Sequence, residues 1–418
     1  MNLFILPSWL PHRCHPLEGT FLVEQASALA ELHPDWNVGL SRWGQGLSRV
    51  SWAHARESPR CLASALLGRD ARERDVRDNL VEFGSRALSW NESIAEGNAA
   101  GILSANRRNL TRAIRRFGRV DLLHAHVSYP AGWVACRLSE EFGIPYVITE
   151  HMGPFPLPVY ARRPAWLERY VLAPLKTARA RIAVSPALAE SLRRFGIPEP
   201  EVVPNLIDER LYRLPTPEPA RPFQFFTLGG MQAVKGFPDL LHAIARFLER
   251  LDDAERRRVR FTLAGYGPEL ADYQALARRL GVEPWLSWPG FLARDVARER
   301  FHGCDCYVLS SHYESFGIVL VEAMACGKPV IATRCGGPEA LVDAESGILV
   351  DRGAPAELAE AMLAVFRGLR TWDGAAIRER ALARFSRPAV VRQLERIYER
   401  VTLEHASPAP SVAVRSGS

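Results

Sequence analysis

The chain has 418 residues, more than one compact core usually contains, so two or three domains are expected. Apolar residues make up 47% and charged residues 24%, the profile of an ordinary soluble globular protein. The formal net charge is +6, and the 53 basic side chains include only three Lys, the remainder being Arg.

Neither the apolar runs nor the cysteines predict a membrane-spanning or secreted protein. No uncharged apolar run reaches the length of about 18 residues that a transmembrane helix needs. The N-terminal MNLFILPSWLPH lacks a basic region and is predicted to be a buried strand rather than a signal peptide. The odd number of Cys predicts no disulfide framework, and Cys304 and Cys306 lack a second metal-binding pair. We therefore expect a cytoplasmic location and no bound metal.

The first half of the chain alternates short apolar runs with helical patterns. The strand-like runs are NLFIL, VDLLHAH, PYVITEH and RIAVS, and the helical patterns include FLVEQASALAEL and AGWVACRLSEEFG. Such alternation predicts a doubly wound α/β domain with a parallel sheet. Residues 42–100 show no clean period and are predicted to be an irregular or helical insertion.

A Pro-rich segment at residues 211–222 predicts a linker, because Pro stiffens a chain and cannot continue a helix. The α/β alternation then restarts with FQFFTLGG, RFTLAGYG, CDCYVLS, KPVIAT and GILV as predicted strands. The resulting organisation is a first domain, a second domain, a closing helix and a disordered tail, at residues 1–208, 209–385, 386–405 and 406–418 respectively.

The most informative stretch is residues 310–342, where a predicted strand is followed by a loop and a helix. The loop carries Glu314 and Gly317, and the helix carries Glu322 in the apolar run IVLVEAMA. A helix N-terminus at the carboxyl edge of a parallel sheet favours anions and is suited to a diphosphate. Because Glu322 comes eight residues after Glu314, helical geometry would separate the two carboxylates by about 12 Å. An unpaired carboxylate in an apolar helix is costly, which favours a function for Glu322.

A second stretch, TLGGMQAVKGFPDLL, places Lys235 and Gly236 at the predicted start of a helix. A cation is unfavourable at this end of a helix, so a bound anion would offset the cost. Because Arg has replaced Lys almost everywhere else, a Lys in this loop is a candidate phosphate ligand.

Together these motifs resemble the retaining nucleotide-sugar glycosyltransferases of family 4. GTFLVEQASAL, DLLHAH followed by YPAGWVA, ITEHMG, AVSPAL, VPNLID and LAGYGPEL occur in the order typical of that family. The most specific element is the pair Glu314 and Glu322 with seven residues between them. The resemblance implies the GT-B fold, with two facing Rossmann-like domains and a C-terminal helix that crosses back to the first domain.

The resemblance also implies roles for individual residues. Glu322 would bind the ribose hydroxyls of the nucleotide, and Lys235 would contact the diphosphate. Glu314 and His126 would lie beside the donor sugar, while Gly19 would close over the phosphates from the first domain. Backbone N–H groups around the helix start would surround the diphosphate, namely those of Phe316, Gly317, Ile318 and Val319.

Two positions depart from the family pattern. Gly230 stands where the family often has a second diphosphate-binding Arg, and Leu206 stands where Gly is frequent. The Asp-x-Asp triplet typical of metal-dependent enzymes is missing from the chain, so no metal cofactor is expected. The predicted partners are a nucleotide sugar as donor and a hydroxyl acceptor, with no nucleic acid.

The acceptor is expected on the first domain, where residues 101–182 carry 13 basic and 5 acidic side chains. The helix at 107–119 has an apolar face and a face of four arginines: Arg108, Arg112, Arg115 and Arg119. This face is predicted either to bind an anionic or lipid-linked acceptor at the inner face of the membrane or to be simply solvated.

Three alternatives to transfer remain open at this point. A sugar-nucleotide epimerase or a phosphorylase would use the same fold. A non-catalytic sugar-nucleotide-binding protein would explain the missing Arg at Gly230.

Overall fold

The computed structural model describes residues 1–11, 19–45, 72–90, 97–215 and 221–406. Its strands form two separate sheets, one from the chain before residue 203 and one from the chain after residue 222. Among the helices in these ranges, none is both long enough and apolar enough to cross a membrane. The tail predicted at 406–418 lies outside the described residues except for Ala406, the last residue of a helix.

Within the described residues, the first sheet has eight strands: β1 (Asn2–Pro7), β2 (Asn37–Arg42), β3 (Glu73–Arg77), β4 (Leu80–Gly84), β5 (Leu122–His126), β6 (Tyr146–Glu150), β7 (Ala180–Ala183) and β8 (Glu201–Val202). Their spatial order is β3-β4-β2-β1-β5-β6-β7-β8, and only the edge pair β3–β4 is antiparallel. The central strands β5 and β6 are buried at every residue, as expected for parallel strands covered on both faces, and β5 buries the polar side chains of His124 and His126.

The second sheet, in residues 221–406, has six strands: β9 (Phe223–Leu228), β10 (Val259–Ala264), β11 (Leu286–Gly290), β12 (Cys306–Leu309), β13 (Val330–Arg334) and β14 (Gly347–Asp351). The order is β11-β10-β9-β12-β13-β14, and every pair is parallel. Together with the first sheet, this confirms the predicted pair of Rossmann-like α/β sheets.

Helices connect most of the parallel strands. They are α1 (Thr20–Leu32), α2 (Ala99–Phe117), α3 (Trp133–Phe142), α4 (Pro158–Ala161), α5 (Pro164–Leu167), α6 (Ala173–Thr177), α7 (Pro186–Arg194), α8 (Phe237–Glu249), α9 (Asp253–Arg257), α10 (Leu270–Arg279), α11 (Arg294–Gly303), α12 (Ile318–Ala325), α13 (Pro355–Phe366), α14 (Gly374–Phe385) and α15 (Arg387–Ala406). α8 shows why they form: its buried residues recur at helical spacing and face the second core.

The prediction for residues 42–100 is wrong in part. Residues 73–84 form the hairpin β3–β4, and β4 extends the sheet beside β2. The outer strand β3 is exposed along its whole length and rich in charge, so it has no apolar pattern to read. The remainder of the segment is described only in part, with residues 46–71 and 91–96 outside the described ranges.

The last helix, α15, packs on the first sheet although it follows the second one in the chain. Its buried side chains Val390, Leu394 and Val401 share a core with Leu3 and Ile5 of β1. The hydroxyl of Tyr398 also forms a 2.7 Å hydrogen bond with Nδ1 of His124 in β5. The residue boundaries given above for the domains stay predictions.

In each sheet the strand order reverses direction at one place. In the first sheet this switch point lies between β1 and β5, and in the second it lies between β9 and β12. Loops at the carboxyl ends of such strand pairs form a crevice that binds ligands. Gly19 follows β1, His126 ends β5, Lys235 follows β9 and Glu314 follows β12.

Candidate active site

The loops after β9 and β12 approach each other closely at the second switch point. Gly236 has a φ of +64°, and a Cβ at this position would lie 2.0 Å from the carbonyl oxygen of Ser310. The Ser310 hydroxyl donates a 3.0 Å hydrogen bond to the carbonyl oxygen of Lys235. The absence of a side chain at Gly236 therefore allows the Lys235 loop to pack against the loop that carries Glu314.

Lys235 and Glu314 meet in an ion pair at this point. Lys235 Nζ lies 2.7 Å from Glu314 Oε1, and the hydroxyl of Ser311 donates to the same oxygen at 2.8 Å. The side chains are 28% and 14% exposed, so both keep access to the crevice. The structure thus brings together two residues that the sequence analysis had placed at one site.

Lys235 does not open the following helix as predicted. It ends a short 3₁₀ turn, Ala233–Lys235, and α8 begins at Phe237. The intervening Gly236 is left-handed and breaks the continuity between the turn and the helix. The Lys235 side chain is consequently carried by a loop in front of α8, closer to the neighbouring Glu314 loop.

The N-terminus of α12 lies directly after the Glu314 loop. Gly317 occupies the N-cap with a φ of +94°, and no side chain caps the helix. Phe316 is buried, which holds this turn in place, while Ile318 and Val319 form the first helical positions. The first N–H groups of a helix have no partner within it and carry a partial positive charge. This end of α12 is therefore complementary to an anion.

Glu322 lies within α12, whereas Glu314 lies before it in an extended segment that bridges to Gly336. The separation of about 12 Å for a continuous helix therefore does not apply to this pair. Glu322 Oε1 accepts a 2.7 Å hydrogen bond from the hydroxyl of Tyr212. Burial of the carboxyl raises its pKa to about 7, against the opposing effects of Tyr212 and Arg294.

In the first domain, His126 forms a buried pair with a second histidine. Its Nδ1 lies 3.0 Å from Nε2 of His151, and burial lowers its pKa to about 3. Its Nε2 is buried without a hydrogen-bond partner among the described residues. Near pH 7 His126 is therefore neutral and retains one ring nitrogen for a further hydrogen bond.

Gly19 is the left-handed N-cap of α1, and a Cβ there would lie 2.8 Å from the carbonyl oxygen of Trp9. The first turn of α1 places the ring of Phe21 4.9 Å from the ring of His151. Gly19 and His126 thus belong to one neighbourhood at the first switch point, with His151 between them.

Two contacts bring the two switch points face to face. A Cβ at Gly153, just after His151, would lie 2.2 Å from the ring of Tyr313, just before Glu314. Glu24 of α1 forms an ion pair with Arg294 of α11. The loop that carries Glu314 therefore lies against the segment after β6, and α11 lies against α1.

Comparison with known proteins gives a consistent result. The family model for glycosyl transferases group 1 matches residues 208–368, and the model for glycosyltransferase family 4 matches residues 70–211. A D-inositol 3-phosphate glycosyltransferase from Segniliparus rotundus is 32% identical over 71% of this chain and 70% of its own. The chain belongs to the family 4 glycosyltransferases. It is thus a glycosyltransferase with the predicted GT-B fold.

Further relatives of this family 4 glycosyltransferase include an N-acetyl-alpha-D-glucosaminyl L-malate synthase from Bacillus anthracis, 26% identical over 67% of this chain and 74% of that one. Among solved structures, sucrose-phosphate synthase from Thermosynechococcus elongatus matches with a TM-score of 0.72 and 20% identity, covering 97% of this chain and 99% of that one. Anabaena HepE in complex with UDP matches with a TM-score of 0.67 and 21% identity, covering 96% and 100%. At these identities the two structures establish the fold.

Four residues of the crevice were not anticipated from the sequence of this glycosyltransferase: Glu24, His151, Tyr212 and Arg294. His151 lies in the family-like motif ITEHMG, but the motif alone does not single out its side chain. Tyr212 lies in the Pro-rich segment, where a linker was predicted, yet it is only 3% exposed. An aromatic residue in a polar, Pro-rich linker is the signal that would have identified it.

The arginine face of α2 is largely occupied by contacts within the protein. Arg112 donates to the carbonyl oxygen of Gly84 at 3.0 Å, and Arg108 donates to Ser104 at 2.9 Å. Arg119, just beyond the helix, pairs with Asp121. These contacts favour a structural role for most of this face, and contact with a membrane or an anionic acceptor stays a prediction.

The described residues contain no group of three or more His, Cys, Asp and Glu side chains arranged to hold a metal. Cys304 and Cys306 are buried, and burial raises the pKa of the Cys304 thiol to about 12. Both sulfurs therefore remain protonated in the core, a state that does not favour metal binding.

Proposed function

We propose that this glycosyltransferase moves a sugar from a nucleoside diphosphate sugar to a hydroxyl acceptor with retention of configuration. The observation that carries the proposal is the Lys235–Glu314 ion pair in front of the uncapped N-terminus of α12. A lysine and a helix N-terminus together form a binding site for a diphosphate. A sugar attached to that diphosphate would extend into the crevice toward the first domain.

Leaving-group stabilisation would supply most of the catalysis. Negative charge develops on the diphosphate as the glycosidic bond breaks, and Lys235 and the N–H groups at the start of α12 would stabilise it. The usual second cation is absent at Gly230, which places more of this demand on Lys235. Neither group must move far, since both are held by the close packing of the two loops.

The other predicted residues would surround this leaving group. Glu322 would accept hydrogen bonds from the ribose hydroxyls, and Glu314 and the neutral His126 would contact the donor sugar. The acceptor would enter from the first domain, and its hydroxyl would attack the face from which the diphosphate departs. The new bond would then keep the configuration of the old one, with a phosphate oxygen of the leaving group taking the proton.

The acceptor is proposed to be a hydroxyl compound of polysaccharide, lipopolysaccharide or glycolipid biosynthesis. The relatives named above act on polar hydroxyl compounds by their names, inositol phosphate and malate. Basic residues outnumber acidic ones by 13 to 5 in residues 101–182 of the acceptor side, which supports an anionic acceptor.

The proposal is tested with UDP-, GDP- and ADP-glucose carrying a ¹³C label at the anomeric carbon, supplied with a panel of polyol and lipid-linked acceptors. Transfer predicts labelled sugar covalently bound to an acceptor, with the anomeric configuration of the donor in the NMR spectrum. A labelled nucleotide sugar of altered configuration would instead indicate an epimerase. A product with the opposite anomeric configuration would refute retention. Lys235→Ala should form no product, and product formation by this variant would refute the assigned site.

A further inference from the structure

Tyr212 lies in the segment that joins the two sheets, yet its side chain reaches the second domain. It follows a short 3₁₀ turn, Glu209–Leu211, and its hydroxyl donates a 2.7 Å hydrogen bond to Glu322 Oε1. Tyr212 is 3% exposed, whereas Glu322 is only partly buried. The hydroxyl thus binds Oε1 of Glu322, while the rest of the carboxylate keeps partial access to the crevice.

The joining segment is itself fixed to α15 and, through α15, to α1 of the first domain. Arg387, at the start of α15, is paired with Glu209 at 2.9 Å and with Glu31 of α1 at 3.1 Å. Arg210 is paired with Asp208 at 2.8 Å. These ion pairs restrain the backbone on which Tyr212 stands, so its hydroxyl is held at a defined position.

Glu322 has few other restraints on its orientation. Among the described residues, Tyr212 is the side chain that hydrogen-bonds to its carboxylate. The charged groups that act on the carboxyl are Arg294 and Arg298 of α11, which favour the charged form, and Glu24 of α1, which opposes it. Arg294 is engaged by Glu24, so it does not replace Tyr212 as a direct partner.

We propose that Tyr212 is a positioning residue that fixes the Glu322 carboxylate for the ribose hydroxyls of the donor nucleotide. The inference rests on the proposed function, because it assumes a nucleotide at Glu322. An ionised carboxylate accepts up to about four hydrogen bonds, so the bond from Tyr212 leaves the remaining positions for a diol. Fixing the carboxylate beforehand also reduces the entropy lost on binding. The residue between the domains thereby becomes part of nucleotide recognition.

The test compares a ribonucleotide with its 2′,3′-dideoxy analogue. Binding of UDP, GDP and ADP, and of the dideoxy analogue of whichever binds, is measured by calorimetry on wild type and Tyr212→Phe. Tyr212→Phe should weaken the ribonucleotide on the order of tenfold and leave the dideoxy analogue unchanged. Tyr146→Phe is the matched control, since its buried hydroxyl bonds Thr177 away from the crevice, and it should change neither affinity.

The outcomes separate this inference from the proposed function. Equal weakening of both nucleotides would make Tyr212 a general structural residue and overturn the inference, as would no weakening of either. If none of the three nucleoside diphosphates bound wild type, the proposed function would fail and the inference with it. Should Tyr212→Phe prove unstable, Glu322→Gln alone must show the same loss, confined to the ribonucleotide.

Discussion

Nζ of Lys235 lies 2.7 Å from Oε1 of Glu314, although 79 positions separate the two residues in the chain. Each follows a different strand of the second switch point, and close packing at Gly236 brings their loops together. The two side chains neutralise each other in this ion pair. A diphosphate would offer Lys235 a stronger partner and would release Glu314 toward the sugar.

Replacing Lys235 by Ala is the first prediction that follows. Loss of the cation at the leaving group should lower kcat/KM for the nucleotide sugar by roughly 10²-fold. Lys235→Arg should recover part of the activity, because the charge returns with a different geometry. Lys176→Ala is the matched control, since Lys176 is a surface residue paired with Glu168. Wild-type rates in Lys235→Ala would show that the diphosphate binds elsewhere.

Glu322 leads to a prediction about stability. Its pKa is raised from 4.5 to about 7 by burial, so ionisation costs the folded protein up to about 3 kcal/mol at high pH. The folded state holds the proton more tightly, and this group therefore costs stability progressively as pH rises from about 4.5 to about 7. Glu322→Gln should raise the melting temperature at pH 8, with a smaller gain at pH 5, while nucleotide binding weakens.

The control for that measurement is Glu379→Gln, which alters an exposed glutamate on α14. It should leave the melting temperature unchanged at both pH values. If Glu322→Gln lowered the melting temperature at pH 8, the carboxylate would be stabilising the fold rather than serving a ligand at some cost in stability.

His126 is expected to affect turnover more than nucleotide binding. Its Nε2 has no hydrogen-bond partner among the described residues, so this atom is free to bond to a substrate. His126→Ala should lower kcat on the order of tenfold and leave the Kd of the nucleoside diphosphate unchanged. Since its pKa is about 3, His126 should contribute no step to the pH–rate profile between pH 5 and 8.

His124 provides the contrast to His126. It is bonded to Thr149 at 2.8 Å and to Tyr398 of α15 at 2.7 Å, so both ring nitrogens are used within the core. His124→Ala should mainly lower the melting temperature. A comparable loss of stability in His126→Ala, with normal kcat, would place His126 in the same structural role.

Metal removal should have no effect on transfer. In the proposed function, Lys235 and the N-terminus of α12 would provide the positive charge that a metal supplies to diphosphates in other enzymes. Initial rates should therefore be equal whether divalent cations are removed with roughly 5 mM EDTA or Mg²⁺ is supplied at roughly 5 mM. Activity abolished by EDTA and restored by Mg²⁺ would contradict the prediction of metal independence.

The sequence predicted the second sheet and the Glu314 region well because these elements have strong local signals. Buried parallel strands such as β12 are continuous apolar runs, and Gly317 marks the start of α12. The edge strand β3 was missed because its exposed residues alternate in no hydrophobic pattern. Strand β11, LSWPG, was missed because it contains Pro and Gly, which lower the apparent strand propensity.

Contacts between distant segments explain what the sequence could not provide at the site. The ion pair of Glu24 with Arg294 and the hydrogen bond of Tyr212 with Glu322 each join residues from different parts of the chain. Neither lies in a periodic pattern, and the partners are determined by how the two sheets face each other. The candidate glutamates were recognisable from one motif, whereas their supporting residues required the fold.

The most direct measurement tests UDP-, GDP- and ADP-sugars in two ways. Donor binding is measured by thermal shift, and donor hydrolysis is measured by mass spectrometry. The account predicts that one nucleotide class stabilises the wild-type protein and is slowly hydrolysed to the nucleoside diphosphate and free sugar. Both effects should be lost in Lys235→Ala and kept in Lys176→Ala. Stabilisation by none of the three classes, or full retention in Lys235→Ala, would contradict the central claim that this crevice binds a nucleotide sugar through its diphosphate.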